Sequence, residues 1–273
     1  MPARQARFST HRMSARPRCL VVVPTYNEIE NIDRIVPAIL AQGEAFEVLV
    51  VDDGSPDGTG ERVRELMGER PGRVHLLPRA GKLGLGTAYL DGFRWGLARG
   101  YGYLFEMDAD FSHSPADLPR LLEPALAGEA DVVIGSRYTR GGRVANWPLD
   151  RIALSFGASL YVRAITWMPV KDPTAGFKCY RREVLEALDL DAVRFVGYAF
   201  QIEMKFRAWQ KGFRLREVPI TFTDREAGAS KMSTGIVREA IVGVLQMRLS
   251  TMPDPVQAVA ATEQGERGEE AAA

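Results

Sequence analysis

Two aspartates one residue apart, Asp108 and Asp110, close the apolar run of YLFEMDADFSHSP, residues 103–115. Carboxylates that near resist ionising together unless a cation or a set of donors lies between them. On an extended chain, positions i and i+2 share a face. The pair could then grip a divalent cation through oxygen, as Mg²⁺ or Mn²⁺ is gripped when it also binds phosphates. The competing reading is a turn residue and a helix N-cap, because SHSPADL follows and carries helix-start chemistry.

Polar residues also follow three other apolar runs: Pro24-Thr25-Tyr26-Asn27-Glu28, Asp52-Asp53-Gly54-Ser55 and Gly135-Ser136-Arg137. VVDDGSPDGTGERV reads as a strand, an Asx-type turn and a helix starting near Thr59. Asp53 at that strand end also suits a ribose hydroxyl or a base N–H, which carboxylates accept. GKLGLGTAYLDG, residues 81–92, matches neither the Walker pattern nor G-x-G-x-x-G, and its glycines serve a tight turn. DREAGASKMS, residues 224–233, sets Arg225 and Lys231 in a small-residue loop. Such cations either stay solvated or close over a diphosphate. His11, His75 and His113 fall in separate segments, form neither a metal cluster nor a triad, and are read as structural.

The elements that must position these residues alternate. Strands are expected at 20–24, 46–53, 73–79, 103–110 and 131–138, and helices at 28–41, 59–68, 84–99 and 115–127. Strand–helix alternation with wholly apolar strands implies a parallel sheet covered on both faces. Ligands in such sheets sit at the carboxyl ends of the strands, where the polar residues gather. After about residue 145 the pattern changes. LDRIALSFGASLYVRAITW reads as a helix that is apolar nearly all round, GFKCYRREVLEAL as strand then helix, YAFQIEMKFRAWQKG as an amphipathic helix and FRLREVPITFTDR as a strand. A last helix is expected at 234–249.

Composition narrows the class. The 35 basic and 35 acidic residues cancel, which gives no sign of a nucleic-acid binder. Cys19 and Cys179 are the only cysteines, which fits a reducing cytoplasm rather than a disulfide framework. The longest uncharged stretch, Ile152 to Val162, has 11 residues, too few for a spanning helix. No strand is followed by G-x-G-x-x-G, which argues against a dinucleotide-binding dehydrogenase. The expected organisation is a disordered basic arm over 1–18, one domain over 19–250 and a disordered tail over 251–273. The domain is expected to divide into two halves, 19–140 and 141–250.

Taken in order, VVVPTYNEIENI, VVDDGSPDGT, GKLGLGTAY, MDADFSHSP, GSRY, DPTAGFKCYRREVLE, GYAFQIEM, EVPITFTDRE and GASKM resemble the polyprenyl-phosphate (dolichyl-phosphate) mannose synthases. These are inverting family-2 glycosyltransferases of GT-A fold, an α/β, Rossmann-like, mostly parallel sheet with helices on both faces. The likeness runs from about residue 19 to 249, and it implies that 19–140 is the nucleotide-sugar half of the domain and 141–250 the acceptor half. It implies transfer of mannose from GDP-mannose to a polyprenyl monophosphate, aided by Mg²⁺ or Mn²⁺. Pro24, Tyr26 and Glu28 are implied as first nucleotide contacts, with Val51 and Asp53 framing the nucleoside. Asp108, Ala109 and Asp110 are implied as the metal–diphosphate site. Ser112 stands where some relatives carry a glutamine ligand. Arg137 is implied as a phosphate or sugar contact and Arg225 and Lys231 as loop cations on the donor, while Gln201 and Glu203 fall towards the acceptor side.

The same resemblance implies a cytoplasmic protein attached peripherally to the cytoplasmic face of a membrane, through surface helices or a membrane-embedded partner subunit. A lipid phosphate is already largely a dianion near pH 7, since its second pKa is about 6, so no strong base is required. Glu203 stands as a base candidate for a different acceptor. The rival readings are a family-2 transferase using UDP-glucose or an aminosugar nucleotide, and a non-catalytic nucleotide-sugar-binding subunit.

Overall fold

The computed structural model describes residues 17–224 and 243–249. In chain order come β1 (Cys19–Thr25), α1 (Ile29–Leu40), β2 (Phe46–Asp52), α2 (Thr59–Glu69), β3 (Val74–Pro78), α3 (Leu85–Ala98) and β4 (Tyr103–Glu106). A 3₁₀ turn (Pro115–Asp117), α4 (Leu118–Leu126), β5 (Val132–Ser136), β6 (Arg143–Ala145) and α5 (Leu149–Thr166) follow. β7 (Lys178–Arg181), α6 (Arg182–Ala187), α7 (Tyr198–Gln210), β8 (Leu215–Pro219) and β9 (Thr221–Thr223) come next, and residues 243–249 are helical.

Seven strands form one sheet in the order β3-β2-β1-β4-β7-β5-β8. β7 runs antiparallel to both its neighbours, β4 and β5, while the other pairings are parallel. The sheet is thus mostly parallel, as expected, with one strand reversed. The chain enters β7 from the loop after α5 instead of crossing back over a helix. β6 and β9 make a separate two-stranded parallel ribbon.

Alternation along β1 divides the core. Cys19, Val21 and Val23 pack with α1, α2 and α4, whereas Leu20 and Val22 pack with α3, α6 and α7. All five are fully buried, and each large aliphatic side chain so buried contributes about 1.5–3 kcal/mol. α3 lies close to the sheet because it carries glycine where it crosses. A β-carbon at Gly96 would come within 2.7 Å of Leu104 Cδ2 and 2.8 Å of Leu20 Cδ2. A satellite core joins Val162 of α5, Ile202 and Phe206 of α7, and Val244 and Met247.

Strand order reverses at β1, whose neighbours β2 and β4 lead away on opposite sides. The crevice this opens at the carboxyl ends is where ligands of open α/β sheets bind. β7 and β8 belong to the same sheet as β1–β5, so the expected division near residue 140 is not a boundary of the sheet. Arg18, assigned from sequence to a disordered arm, is instead held: its Nη2 lies 3.2 Å from Glu47 and its guanidinium 4.2 Å over the Tyr101 ring.

Candidate active site

The loop after β1 is fastened largely by side chains of the Asx-type turn read in VVDDGSPDGTGERV. Thr25 Oγ1 donates to Asp52 Oδ1 (3.0 Å), and the Asn27 amide donates to Ser55 Oγ (3.0 Å). The Glu28 amide donates to Thr59 Oγ1 (3.0 Å) and that of Ile29 to Asp57 Oδ2 (3.1 Å). Asn27 is left-handed at φ 60°, a conformation asparagine tolerates, which turns the chain directly after the strand. Pro24 and Tyr26 are thereby placed at the crevice. Tyr26 is exposed, with Lys82 Nζ 4.8 Å from its ring, and Glu28 accepts from Asn31 (2.7 Å). Val51 is fully buried in the core, paired within the sheet on both sides.

Asp53 is buried against Arg79, whose Nε lies 3.0 Å from Oδ1. Contact is close, but the N–H is not aligned for a hydrogen bond, and both atoms keep hydrogen-bonding capacity. Burial raises the Asp53 carboxyl's pKa, against the lowering effects of Arg79's charge and the Leu83 amide. Arg79 also donates to Thr87 Oγ1 (2.9 Å). Sequence reasoning passed over it as the end of a strand, although its position at the same edge as Asp53 was the available signal.

β4 ends at Glu106, two residues short of the first aspartate. The same-face argument from extended geometry therefore does not apply, and a turn presents the carboxylates instead. Asp108 Oδ1 accepts from the Tyr89 hydroxyl (3.0 Å), and its side chain is 36% exposed. Asp110 Oδ1 accepts from the Ser112 amide (3.1 Å), a local turn bond made while Phe111 takes a left-handed φ of 57°. Thus Asp110 does cap a turn, but it does not cap the helix, which begins after Ser114. Ala109 points into the core. Burial raises the Tyr89 phenol well above its ordinary pKa, and the charges of Asp108, Glu106 and Asp110 push it the same way. Asp108 takes the hydroxyl's hydrogen bond, while Glu106 and Asp110 act on it through charge.

Around this turn His113 is buried, stacked on Phe177 (5.1 Å) and edge-on to Phe222 (5.2 Å). Burial lowers its pKa to about 4, despite Asp110's charge, so it is neutral near pH 7. Its Nδ1 lies 3.9 Å from Asp108 Oδ2, closer to the site than its sequence position suggested. Beneath lies a buried polar network. Lys178 Nζ sits 3.0 Å from Glu106 Oε2 and donates to Gln201 Oε1, while Tyr180 donates to Glu106 Oε1 (3.0 Å). Lys205 donates to the Ala175 carbonyl (2.7 Å), and burial drives its pKa well below the ordinary lysine value, with the neighbouring Lys178 charge adding to the effect.

Arg137 is clamped by Asp172. Its amide and Nε donate to Oδ2 (2.9 and 2.7 Å), and Nη2 donates to Oδ1 and to Thr174 Oγ1 (2.7 Å each). Asp172 is fully buried. Burial opposes its ionisation, yet Arg137's hydrogen bonds and charge hold the carboxyl below its ordinary pKa. Trp147 lies between two guanidiniums, Arg137 at 5.7 Å and Arg151 at 4.0 Å. Nothing in the spacing of Asp172 and Arg137, 35 residues apart, announces this pair.

Two sequence-based assignments change here. Glu203 is not placed to act as a base. It is buried, accepts from the Arg194 and Phe195 amides (3.0 and 3.1 Å) and from Arg207 (2.8 Å), and so braces the segment before α7. Gln201 is buried on the same helix but turns towards Lys178 and the site. His75 is structural, 3.0 Å from Glu47. Arg225 and Lys231 lie outside the described residues, as does His11.

Among the described residues, no group of three or more His, Cys, Asp and Glu side chains is preassembled for a metal. Asp108 and Asp110, beside the unpartnered hydroxyl of Ser112, suit instead a hard cation that takes its remaining oxygens from a diphosphate.

The sequence profile of Glycosyl transferase family 2 matches residues 20–189, from β1 through α6. The chain belongs to that family. Its fold is GT-A-type and it is a glycosyltransferase. It is 53% identical over 229 residues to the polyprenol monophosphomannose synthase of Mycolicibacterium smegmatis, covering 84% of this chain and 86% of that one. It is 50% identical over 233 residues to the undecaprenyl-phosphate mannosyltransferase of Micrococcus luteus, covering 85% and 95%. Among solved structures, glucosyl-3-phosphoglycerate synthase from Mycobacterium tuberculosis, in complex with Mn²⁺, UDP and phosphoglyceric acid, matches with a TM-score of 0.64. That match has 20% identity and covers 87% of this chain and 80% of that one, a likeness of fold. α7 to β9 lie beyond the matched profile.

Proposed function

We propose that this glycosyltransferase moves mannose from GDP-mannose to a polyprenyl monophosphate, inverting the anomeric carbon. The observation that carries the donor site is the pairing of Asp108 and Asp110 on the turn after β4, Asp108 held by the Tyr89 hydroxyl and Asp110 by the Ser112 amide, beside the strand-order reversal. The 50–53% identity to two transferases named for mannosyl transfer to polyprenol carriers supports the sugar and the acceptor.

In this reading Asp53, with Arg79 behind it, receives a base N–H or a ribose hydroxyl, and Pro24, Tyr26 and Glu28 line the nucleoside. Asp108 and Asp110 would hold Mg²⁺ or Mn²⁺, with Ser112 as a further oxygen, and the cation would supply Lewis-acid stabilisation of charge on the departing GDP. Arg137, its guanidinium preset by Asp172, brings positive charge to the phosphates, and Arg151, itself paired with Asp224, lies 4.0 Å from the Trp147 ring nearby. Arg225 and Lys231 add charge from the following loop. The acceptor phosphate attacks as a dianion, which agrees with a neutral His113 and a fully engaged Glu203.

The acceptor's lipid places the enzyme at a membrane surface, on the cytoplasmic face. α5 suits that contact: Leu149, Phe156 and Leu160 form one helical stripe and Trp167 follows just past its end, each more than half exposed. No described helix is long and apolar enough to cross a membrane. One domain over 19–250 remains the proposed organisation. Incubation of purified protein with labelled GDP-mannose, a short polyprenyl phosphate and Mg²⁺ should give a mild-acid-labile mannolipid. Asp110→Ala should remove it, and UDP-sugars should not replace the donor. Undiminished turnover by folded Asp110→Ala would end the metal-site reading.

A further inference from the structure

Three buried polar atoms beside the carboxylates have no hydrogen-bond partner: Ser112 Oγ, His113 Nδ1 and Gln201 Nε2. Two of these side chains flank one glycine. A β-carbon on Gly176 would stand 3.7 Å from Gln201 Nε2 and 3.8 Å from His113 Cε1. The amide's orientation is imposed from below, because lysine only donates and Lys178 must therefore meet the oxygen. The NH₂ group is left facing the glycine. The imidazole is fixed by its rings, Phe177 and Phe222, and Nδ1 looks towards Asp108 across 3.9 Å, too far for a direct hydrogen bond. The turn bearing Gly176 is itself pinned, by Lys205 on the Ala175 carbonyl (2.7 Å) and by Arg137 on Thr174 Oγ1 (2.7 Å).

We propose that this niche reads one hydroxyl of the donor sugar, with Gln201 Nε2 and His113 Nδ1 as its partners and Gly176 as its floor. The inference deepens the proposed mannosyl transfer and rests on that reading of the donor edge. A hydroxyl is the complementary group: it accepts from the amide N–H and, having both a proton and lone pairs, answers the imidazole nitrogen in either tautomer. A phosphate oxygen only accepts and would face the Asp108 carboxylate, so the niche disfavours an anion. Glycine at 176 leaves the room that a side chain would fill. Sites of this kind discriminate strongly, because an analogue lacking the hydroxyl leaves both buried partners unpaired.

Gly176→Ala tests the niche without breaking the fold, since its new methyl would make ordinary van der Waals contacts. Gln201→Met keeps the length of the side chain and removes the donor. Both variants should bind GDP with wild-type affinity by calorimetry while kcat/KM for GDP-mannose falls at least about tenfold, a modest part of the discrimination such sites reach. Among monodeoxy GDP-mannose analogues, one should be used equally by the wild type and both variants, because the hydroxyl they fail to read is already gone. Wild-type turnover of GDP-mannose by both variants would overturn the inference while leaving mannosyl transfer intact. So would a loss of equal size for every deoxy donor. If the wild type binds GDP yet transfers nothing from GDP-mannose, the underlying donor reading fails instead.

Discussion

Neutralising Asp172 tests how firmly the Arg137 fork is preset. The carboxylate is fully buried, its partner guanidinium is only 9% exposed, and three Arg137 N–H groups converge on its two oxygens. Removing one member of such a pair leaves a buried charge uncompensated, at a cost of about 3–5 kcal/mol. Asp172→Asn keeps one acceptor oxygen, so the lower end, about 3 kcal/mol, is expected. A chain of this size loses roughly 2–4 °C of melting temperature per kcal/mol, giving a drop of roughly 6–12 °C near pH 7. The sign with pH follows from the depressed carboxyl. Its stabilisation is present above the ordinary carboxylate value of 3.8 and is lost as pH falls through the lower folded value. Melting the wild type and Asp172→Asn in parallel from pH 7 downwards should therefore show the gap closing only below about pH 4, where a free aspartate protonates. A gap under about 1 kcal/mol at pH 7, no more than a surface pair contributes, or a gap of constant size in acid, would refute the reasoning.

Replacing Leu149, Phe156 and Leu160 with serine should abolish flotation with anionic vesicles and leave the melting temperature within a degree or two, because these side chains are exposed; a large melting shift would mean that they are packed instead. Gly96→Ala should destabilise by about 1–3 kcal/mol in urea, since its methyl collides with Leu104 and Leu20 and α3 must lift from the sheet. Glu203→Gln should lower stability by about 2–3 kcal/mol, the range for buried charged hydrogen bonds, with an unchanged pH–rate profile; a lost basic limb of that profile would restore Glu203 as a base.

Most of the sheet was legible in the sequence because buried strands carry little but apolar residues and each helix repeats its apolar face. Segments such as LVVVP and FEVLVV could hardly be anything else. Two aspartates after one apolar run, and polar residues after three others, were likewise legible as gathering at the carboxyl edge of the sheet. What tertiary structure decided depends on contacts between distant segments. Whether β7 ran up or down depended on where the chain re-entered the sheet, and four residues of KCYR carry no direction. The geometry at Asp108 and Asp110 was set by where β4 stops and by a phenol from α3. Arg137's clamp came from a residue 35 positions away, and Glu203's brace from amides across the start of α7. Periodicity reports which face of an element is buried, whereas the partner of a buried charge is chosen only when elements far apart in the chain pack together.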